Sequence, residues 1–254
     1  MKQIELRQLT LGYGERILLD KVNATIAGGE LVALLGRNGT GKSTLLRAIA
    51  GLEPVMNGEI RLCDSPLQSL SPQQLAQTVS FVTTEKVRIA NLTGREVVGL
   101  GRAPYTDWLG RLQPSDCEVV SWAIEAVGMS ALADNSMDRL SDGEAQRMMI
   151  ARALAQQTPI VLLDEPTAFL DMPNRYELCT LLRRLAHDAQ RCILFSTHEL
   201  DIALTMCDSI ALIDAPQLPV MPTAQMVQSG HIERLFGNSI VSFDAEKRQV
   251  RVRG

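Results

Sequence analysis

The sequence predicts an α/β protein with a mostly parallel sheet, an antiparallel β subdomain and an inserted helical subdomain. Three observations predict it. Short apolar runs at 31–35, 79–82, 160–163, 192–195 and 210–213 read as strands buried on both faces. Helical segments lie between them, and strands alternating with helices imply a parallel sheet. A glycine-rich turn, Gly36-Arg37-Asn38-Gly39-Thr40-Gly41-Lys42-Ser43-Thr44, joins the first run to a helix.

In chain order, residues 2–27 alternate polar and apolar. Ile4, Leu6 and Leu9 precede a turn at Gly12-Tyr13-Gly14, and Val22, Ala24 and Ile26 follow it, which reads as antiparallel strands. Gly28-Gly29 turns the chain into Leu31-Val32-Ala33-Leu34-Leu35. The helix from Ser43 to Ala50 ends at Gly51, a natural C-terminal cap. Gly58 to Leu62 is a further short strand. Ser71 caps a helix opened by Pro72. Val79-Ser80-Phe81-Val82 carries Thr83-Thr84-Glu85 at its C-terminal edge.

From 86 to 158 long buried-strand runs disappear. Thr93 opens one short helix. Ser115-Asp116-Cys117-Glu118 opens another, with Val120, Ala123, Ile124 and Val127 on one face. Gly143 to Gln156 is a third. This block divides the single domain of 1–254 into a core, 1–85 and 159–254, and a helical subdomain, 86–158. Strands resume at Ile160-Val161-Leu162-Leu163, which ends in Asp164-Glu165-Pro166. Asp171 caps a helix with Pro173 at its start and Leu178, Leu181, Leu182 and Leu185 inside. Cys192-Ile193-Leu194-Phe195 ends in Ser196-Thr197-His198-Glu199. A helix over 201–207 leads to Ile210-Ala211-Leu212-Ile213. Pro216, Pro219 and Pro222 mark a loop. A short helix near His231 to Leu235 and a hairpin of 240–243 with 249–252 complete the chain.

At 254 residues the chain supports a substantial core. Its 46% apolar and 21% charged residues are the balance of an ordinary globular protein. A net charge of −4 supplies no overall basic field, so nucleic acid is not expected as a partner. Five scattered cysteines without a C-x-x-C pair read as free thiols of a reducing cytoplasm. Met1-Lys2-Gln3-Ile4-Glu5 lacks the apolar core of a signal peptide. No apolar run approaches the roughly 18 residues of a membrane span. A cytosolic chain is expected, with any membrane association made through a partner.

The glycine-rich turn matches G-x-x-x-x-G-K-[ST], with Gly36, Gly41, Lys42 and Ser43 in the fixed positions. Glycines let backbone wrap close to phosphate. N–H groups at a helix start, aided by the helix dipole, then face the anion. Lys42 brings charge to the β- and γ-phosphates, and the Ser43 hydroxyl suits Mg²⁺. Asp164 and Glu165 end a strand, where ligands bind in open parallel sheets. Asp164 suits Mg²⁺, and Glu165 suits polarising an attacking water. His198 also ends a strand, and a structural role competes with one at the γ-phosphate. Tyr13, between glycines, is either a base-stacking aromatic or a surface residue in a turn. The segment from Gly101 to Arg111 is either a docking surface or a turn that packs Tyr105 and Trp108 inward.

The segment Leu140-Ser141-Asp142-Gly143-Glu144-Ala145-Gln146-Arg147 resembles the signature motif of ATP-binding cassette (ABC) ATPases. Ala168-Phe169-Leu170-Asp171 resembles that family's D-loop, His198 falls at its switch histidine and Tyr13 at its adenine-stacking aromatic. The resemblance spans nearly the whole chain. It implies a P-loop NTPase with a RecA-like core, binding ATP and Mg²⁺. It implies a head-to-tail homodimer in the ATP state. Each nucleotide would lie between Tyr13 and residues 36–44 of one subunit and the Ser141–Gly143 stretch of the other. Lys42, Glu165 and His198 are the implied catalytic residues, and Ser43 and Asp164 the implied metal ligands. Ser141 precedes a helix, and a hydroxyl with helix-start N–H groups suits a γ-phosphate.

Two departures stand out. The family's usual Gly-Gly-Gln is Asp142-Gly143-Glu144 here, so the added acids are expected to point away or to serve the helix start. The family's lid glutamine falls near Thr84 or Glu85, and Glu85 is the residue able to reach the metal in its place.

Gly101-Arg102-Ala103-Pro104-Tyr105 and Trp108-Leu109-Gly110-Arg111 resemble the ATPase subunits of bacterial importers for iron–siderophore complexes, haem and cobalamin. That branch implies a separate integral-membrane permease and, indirectly, an extracytoplasmic substrate-binding protein. It places the chain peripherally on the cytoplasmic face of the bacterial inner membrane. A soluble ABC-type ATPase of iron–sulfur cluster assembly and an exporter subunit are the competing readings. A DNA-repair relative would need long heptad insertions, which are absent.

Overall fold

The computed structural model describes residues 2–85, 91–237 and 240–252. The start of the helical block at 86 therefore lies outside the described residues. The organising element is a six-stranded sheet of order β10-β9-β3-β8-β7-β6. Its strands are β3 (Leu31–Leu35), β6 (Val79–Val82), β7 (Ile160–Leu163), β8 (Cys192–Thr197), β9 (Ser209–Leu212) and β10 (Val220–Pro222). All pair in parallel except β10, which lies antiparallel on β9.

The apolar runs are continuous because this sheet is covered on both sides. Leu31, Ala33, Leu35, Val161, Leu163, Ile193 and Phe195 face one core. Val32, Leu34, Ile160, Leu162, Cys192 and Leu194 face the other. Each fully buried aliphatic side chain contributes roughly 2 kcal/mol.

The second core is closed by α1 (Lys42–Ile49) and a smaller sheet of order β2-β1-β4-β5. These strands are β1 (Lys2–Tyr13), β2 (Arg16–Ala27), β4 (Asn57–Leu62) and β5 (Ser65–Pro66). They pair antiparallel, as expected. The alternation of β1 changes phase between Leu6 and Leu9, where Gln8 has φ 48° and its N–H bonds Asn23 Oδ1 at 3.0 Å. This bulge keeps Ile4, Leu6, Leu9 and Leu11 all in the core. The expected turn at 12–14 begins later. Gly12 and Tyr13 still belong to β1, paired with Ile17 and Arg16, and Gly14 makes the turn at φ 55°.

The first core is closed by α6 (Met172–Asp188), α7 (Leu200–Met206) and a helical layer. That layer holds α3 (Gly94–Gly99), α4 (Pro114–Ala126) and α5 (Asp142–Ala155), with α2 (Pro72–Thr78) nearby. Ser71 and Thr93 make capping boxes with Gln74 and Glu96, as their positions predict. The second helix of the block starts one residue earlier than expected. Gln113, not a usual cap, exchanges hydrogen bonds with Asp116, and Pro114 takes the first helical position.

Asp116 also holds Arg102 in a pair shut almost entirely from solvent, with Nε to Oδ1 at 2.8 Å. Arg102 bonds Ala155 O and Gln157 Oε1 as well. Gly101 lies against α5 so closely that a Cβ would meet Arg152 O at 2.2 Å. The 101–111 segment therefore divides. Gly101 and Arg102 are buried, Tyr105 is half-exposed with its hydroxyl on Gln156 O at 3.0 Å, and Trp108 is 91% exposed. Trp108 does not pack inward.

The tail adds two elements that the proline-rich sequence concealed, edge strand β10 and helix α8 (Thr223–Gln228). Helix α9 (His231–Phe236) and the hairpin β11 (Val241–Asp244) with β12 (Gln249–Val252) are as expected. Cys179, Cys192 and Cys207 are buried, and burial pushes the Cys179 thiol up to about 12.

The backbone N–H of Gln113, then Arg102, hold the Asp116 carboxyl below its usual range. Its stabilisation is thus present above the unfolded value of about 3.9 and is lost as pH falls through the lower folded value. Asp116→Asn is expected to destabilise the protein by about 3 kcal/mol in urea unfolding at pH 7, with the difference shrinking in acid. An unchanged midpoint would show that the pair contributes nothing.

Candidate active site

The C-terminal ends of β3, β7 and β8 meet at one edge of the large sheet, because these strands pair with Leu35 opposite Thr197 and Leu163 opposite Phe195. The turn after β3 wraps a cleft of about 410 Å³. Tyr13, Arg16, Leu18, Asn38, Gly39, Gly41, Lys42, Ser43, Thr44 and Glu165 line it. Two of its glycines are required by shape. Gly41 has φ 100°, and a Cβ there would stand 2.9 Å from Leu18 Cδ1. At Gly36 a Cβ would meet Thr40 Oγ1 at 2.8 Å. Thr40 Oγ1 in turn donates to Arg37 O at 2.8 Å and closes the turn.

Lys42, the first residue of α1, is buried. Its ammonium donates to Gly36 O at 3.0 Å and Arg37 O at 3.3 Å and stands 3.8 Å from Glu165 Oε1. Burial lowers its pKa, and the Glu165 and Asp164 carboxylates oppose that shift. Glu165 Oε1 also lies 3.4 Å from His198 Nδ1. One carboxylate oxygen thus stands between Lys42, which lines the cleft, and His198, which does not.

Asp164 is 3% exposed. Its N–H donates to Val82 O at 2.9 Å, Thr84 Oγ1 donates to its carbonyl at 3.0 Å, and Ser196 Oγ donates to its Oδ1 at 2.6 Å. Tyr13 bonds Thr44 Oγ1 through its hydroxyl at 3.0 Å, and its half-exposed ring stands at the cleft wall. Glu85 sits elsewhere. It is 78% exposed, 3.5 Å from Arg47 Nη2, and does not line the cleft.

Ser141 caps α5 outside this cleft. Its N–H and Oγ both donate to Glu144 Oε2 at 2.8 Å, and Glu144 N returns a bond at 3.4 Å. These bonds, the backbone one first, hold the Glu144 carboxyl below its usual range. Glu144 therefore serves the helix start. Gly143 lies against the segment before α6, where a Cβ would be 3.1 Å from Leu170 Cδ2. Arg147 ties the same helices by donating to Asn174 Oδ1 at 2.6 Å, while Asp171 caps α6 through Asn174 N. Arg175 Nε holds Leu170 O at 2.7 Å and pairs with Glu199, which accepts from Thr167 Oγ1 at 2.9 Å.

Sequence reasoning missed Arg16, Leu18 and Ser196. Arg16 pairs with Tyr13 across the turn and donates to Gly39 O at 3.3 Å. Its place two residues after Gly14 was the available signal.

A glycine-wrapped lysine at a helix start, facing strand-end carboxylates, defines a nucleotide-binding protein of the P-loop class. The family model for the ABC transporter matches residues 19–168. A petrobactin import ATP-binding protein of Bacillus anthracis is 39% identical over 85% of this chain and 80% of its own. A hemin import ATP-binding protein of Bordetella pertussis is 36% identical over 92% of both chains. Among solved structures, an inward-facing metal-chelate type ABC transporter aligns with TM-score 0.80 and 26% identity over 92% of this chain and 88% of that one. A dimeric ATP-binding cassette in a post-hydrolysis state with ADP and Pi aligns with TM-score 0.76 and 26% identity over 87% and 98%. The chain belongs to the ABC transporter family, as an ATP-binding, ATP-hydrolysing subunit.

Gly41→Ala is expected to weaken ATP binding about tenfold or more, since a left-handed non-glycine residue costs about 1–2 kcal/mol before its contact with Leu18. Fluorescent-nucleotide titration of the folded variant measures this. Wild-type affinity would remove the shape requirement at position 41.

Proposed function

We propose that this chain energises a bacterial importer of metal chelates (iron–siderophore, haem or cobalamin) by ATP-driven closure of a head-to-tail homodimer. The hydrolytic part rests on one observation, the Glu165 carboxylate standing between Lys42 and His198 at the phosphate cleft. Phosphate oxygens would take the Lys42 donors now spent on Gly36 O and Arg37 O. Glu165 would accept a proton from the attacking water, with His198 at the γ-phosphate. Tyr13 would stack on adenine, and the N–H groups of residues 36–44 would cradle the phosphates.

The donor set fits Mg²⁺. Ser43 and Asp164 offer hard oxygens, and among the described residues no cluster of three His, Cys, Asp or Glu builds an all-protein cage. Mg²⁺, when bound, supplies charge neutralisation at the phosphate oxygens. Glu85 reaches the metal only by leaving Arg47.

Ser141 and Gly143 lie outside the cleft of their own chain, which supports completion of each site by the second subunit. ATP bridges the subunits, and hydrolysis weakens the bridge, so the dimer loosens by differential affinity. The division into a core of 1–85 and 159–254 and a helical subdomain of 86–158 belongs to this reading.

Among the described residues no helix is long and apolar enough to cross a membrane. In this reading, which the import ATP-binding relatives support, the permease is a separate chain, the subunit is peripheral at the cytoplasmic face, and an extracytoplasmic binding protein selects the cargo. The exposed Trp108, with Leu109 half-exposed beside it, supports docking at this loop.

Glu165→Gln is expected to bind ATP and dimerise in size-exclusion chromatography while hydrolysis falls at least about a hundredfold. Near-normal turnover would remove Glu165 from the base role. Trp108→Ala is expected to keep the ATPase activity of the isolated subunit and lose a multi-spanning partner in pull-downs from detergent-solubilised membranes. Tyr105 is the poorer probe, because its hydroxyl also holds Gln156 O. Recovery of soluble partners alone by the unaltered protein would favour the assembly ATPase.

A further inference from the structure

Ser196 lies in β8, beside the ends of β7, and is fully buried. Its single hydroxyl does two things. It donates to Asp164 Oδ1 at 2.6 Å and accepts from Glu165 N at 2.8 Å. The two acids it touches are consecutive and differ in conformation. Asp164 closes the strand, held by Val82 on one side and Ser196 on the other. Glu165 has φ 45°, a left-handed backbone unusual for a residue that carries a Cβ. Such a conformation persists only where surrounding contacts over-determine it.

We propose that Ser196 is a positioning residue for ATP hydrolysis. Its hydroxyl sets the orientation of the Asp164 carboxylate and, at the same time, fixes the backbone bend that aims Glu165 into the cleft. This rests on the roles given above to Asp164 and Glu165. A hydroxyl is suited because it is donor and acceptor at once. An alanine leaves Glu165 N without this partner and removes the donor that holds Asp164 Oδ1. A threonine retains a hydroxyl able to make both bonds.

The two acids sit on one short segment, so the loss of Ser196 should be felt at metal and base together, while the phosphate loop is untouched. That pattern separates positioning from a general packing role. A packing defect would lower the melting temperature and nucleotide affinity alike.

The test uses the full chain, with Ser196→Ala and Ser196→Thr. Melting temperature and ATP affinity in EDTA report the fold and the phosphate loop. Mn²⁺ titration of the ATP complex by electron paramagnetic resonance reports the metal without turnover. Steady-state kinetics separate kcat from KM. Ser196→Ala is expected to keep ATP affinity in EDTA, weaken Mn²⁺ binding by about tenfold and lower kcat by about ten- to a hundredfold at similar KM, the range typical of residues supporting a metal ligand. Ser196→Thr is expected to restore both. If Ser196→Ala fails to fold, Ser196→Cys, with a weaker donor and acceptor, carries the same comparison. Wild-type kcat and Mn²⁺ affinity in a folded Ser196→Ala or Ser196→Cys would overturn the proposal, as would equal losses in Ser196→Thr. Asp164→Asn and Glu165→Gln run alongside. Normal turnover in those two would overturn the assignment of the acids, whereas their inactivity with an unaffected Ser196→Ala would overturn Ser196 alone.

Discussion

The hydrogen-bonded register of β3, β8 and β7 is the constraint on which the rest of the site depends. Parallel pairing puts three strand C-termini at one edge. The phosphate loop leaves β3, the acidic pair leaves β7 and the histidine leaves β8, so residues far apart in sequence meet without any long-range design of loops. A slip of one residue in β7 would send Asp164 to the other side of the sheet. The slip is opposed by polar contacts at both ends of β7, where Thr158 Oγ1 donates to Ser80 Oγ at 3.0 Å and Asp164 N donates to Val82 O at 2.9 Å.

Around this edge the protein spends few independent parts. Ser196 joins the acids to β8, and Thr84 joins Asp164 to the end of β6. Glu199, next to His198, joins the histidine loop to the segment before α6 through Thr167 and Arg175. Arg147 joins α6 to α5, whose start carries Ser141. The acids and the histidine therefore hang on neighbouring polar contacts, and the capping residue is tied to α6 through the Arg147 of its own helix. The two acids in the 140–147 segment fit this economy. Glu144 replaces a neutral residue of the family pattern with a carboxylate that bonds Ser141, and an acid in the first turn suits the helix dipole.

What was legible in the sequence was whatever local chemistry dictates. The phosphate loop could be read because glycine positions, lysine and flanking elements all fall within one short stretch. The buried strands could be read because two-sided burial leaves uninterrupted aliphatic runs. Ser71 and Thr93 announced their helices, whereas Gln113 did not, since glutamine at a cap is uncommon and its bond with Asp116 depends on the buried Arg102. Strand β10 hid among prolines, because an edge strand of three residues has no alternation to display. Leu18 and Ser196 were invisible for another reason, while Arg16 was signalled only by its place just after the turn at Gly14. Each of the first two reaches the site only by pairing or packing with a distant segment, as Leu18 does against Gly41.

The hold of Lys42 on its own loop bears on the protein before it meets a nucleotide. A buried ammonium has three protons to place, and here the carbonyls of Gly36 and Arg37 accept two of them, with the Glu165 carboxylate 3.8 Å away. The side chain works as a stay across the loop. A guest then enters a socket already shaped for it, and little of its affinity goes into ordering the chain. Binding becomes an exchange of acceptors on one lysine, carbonyl for phosphate, which can run in either direction as the subunits open and close.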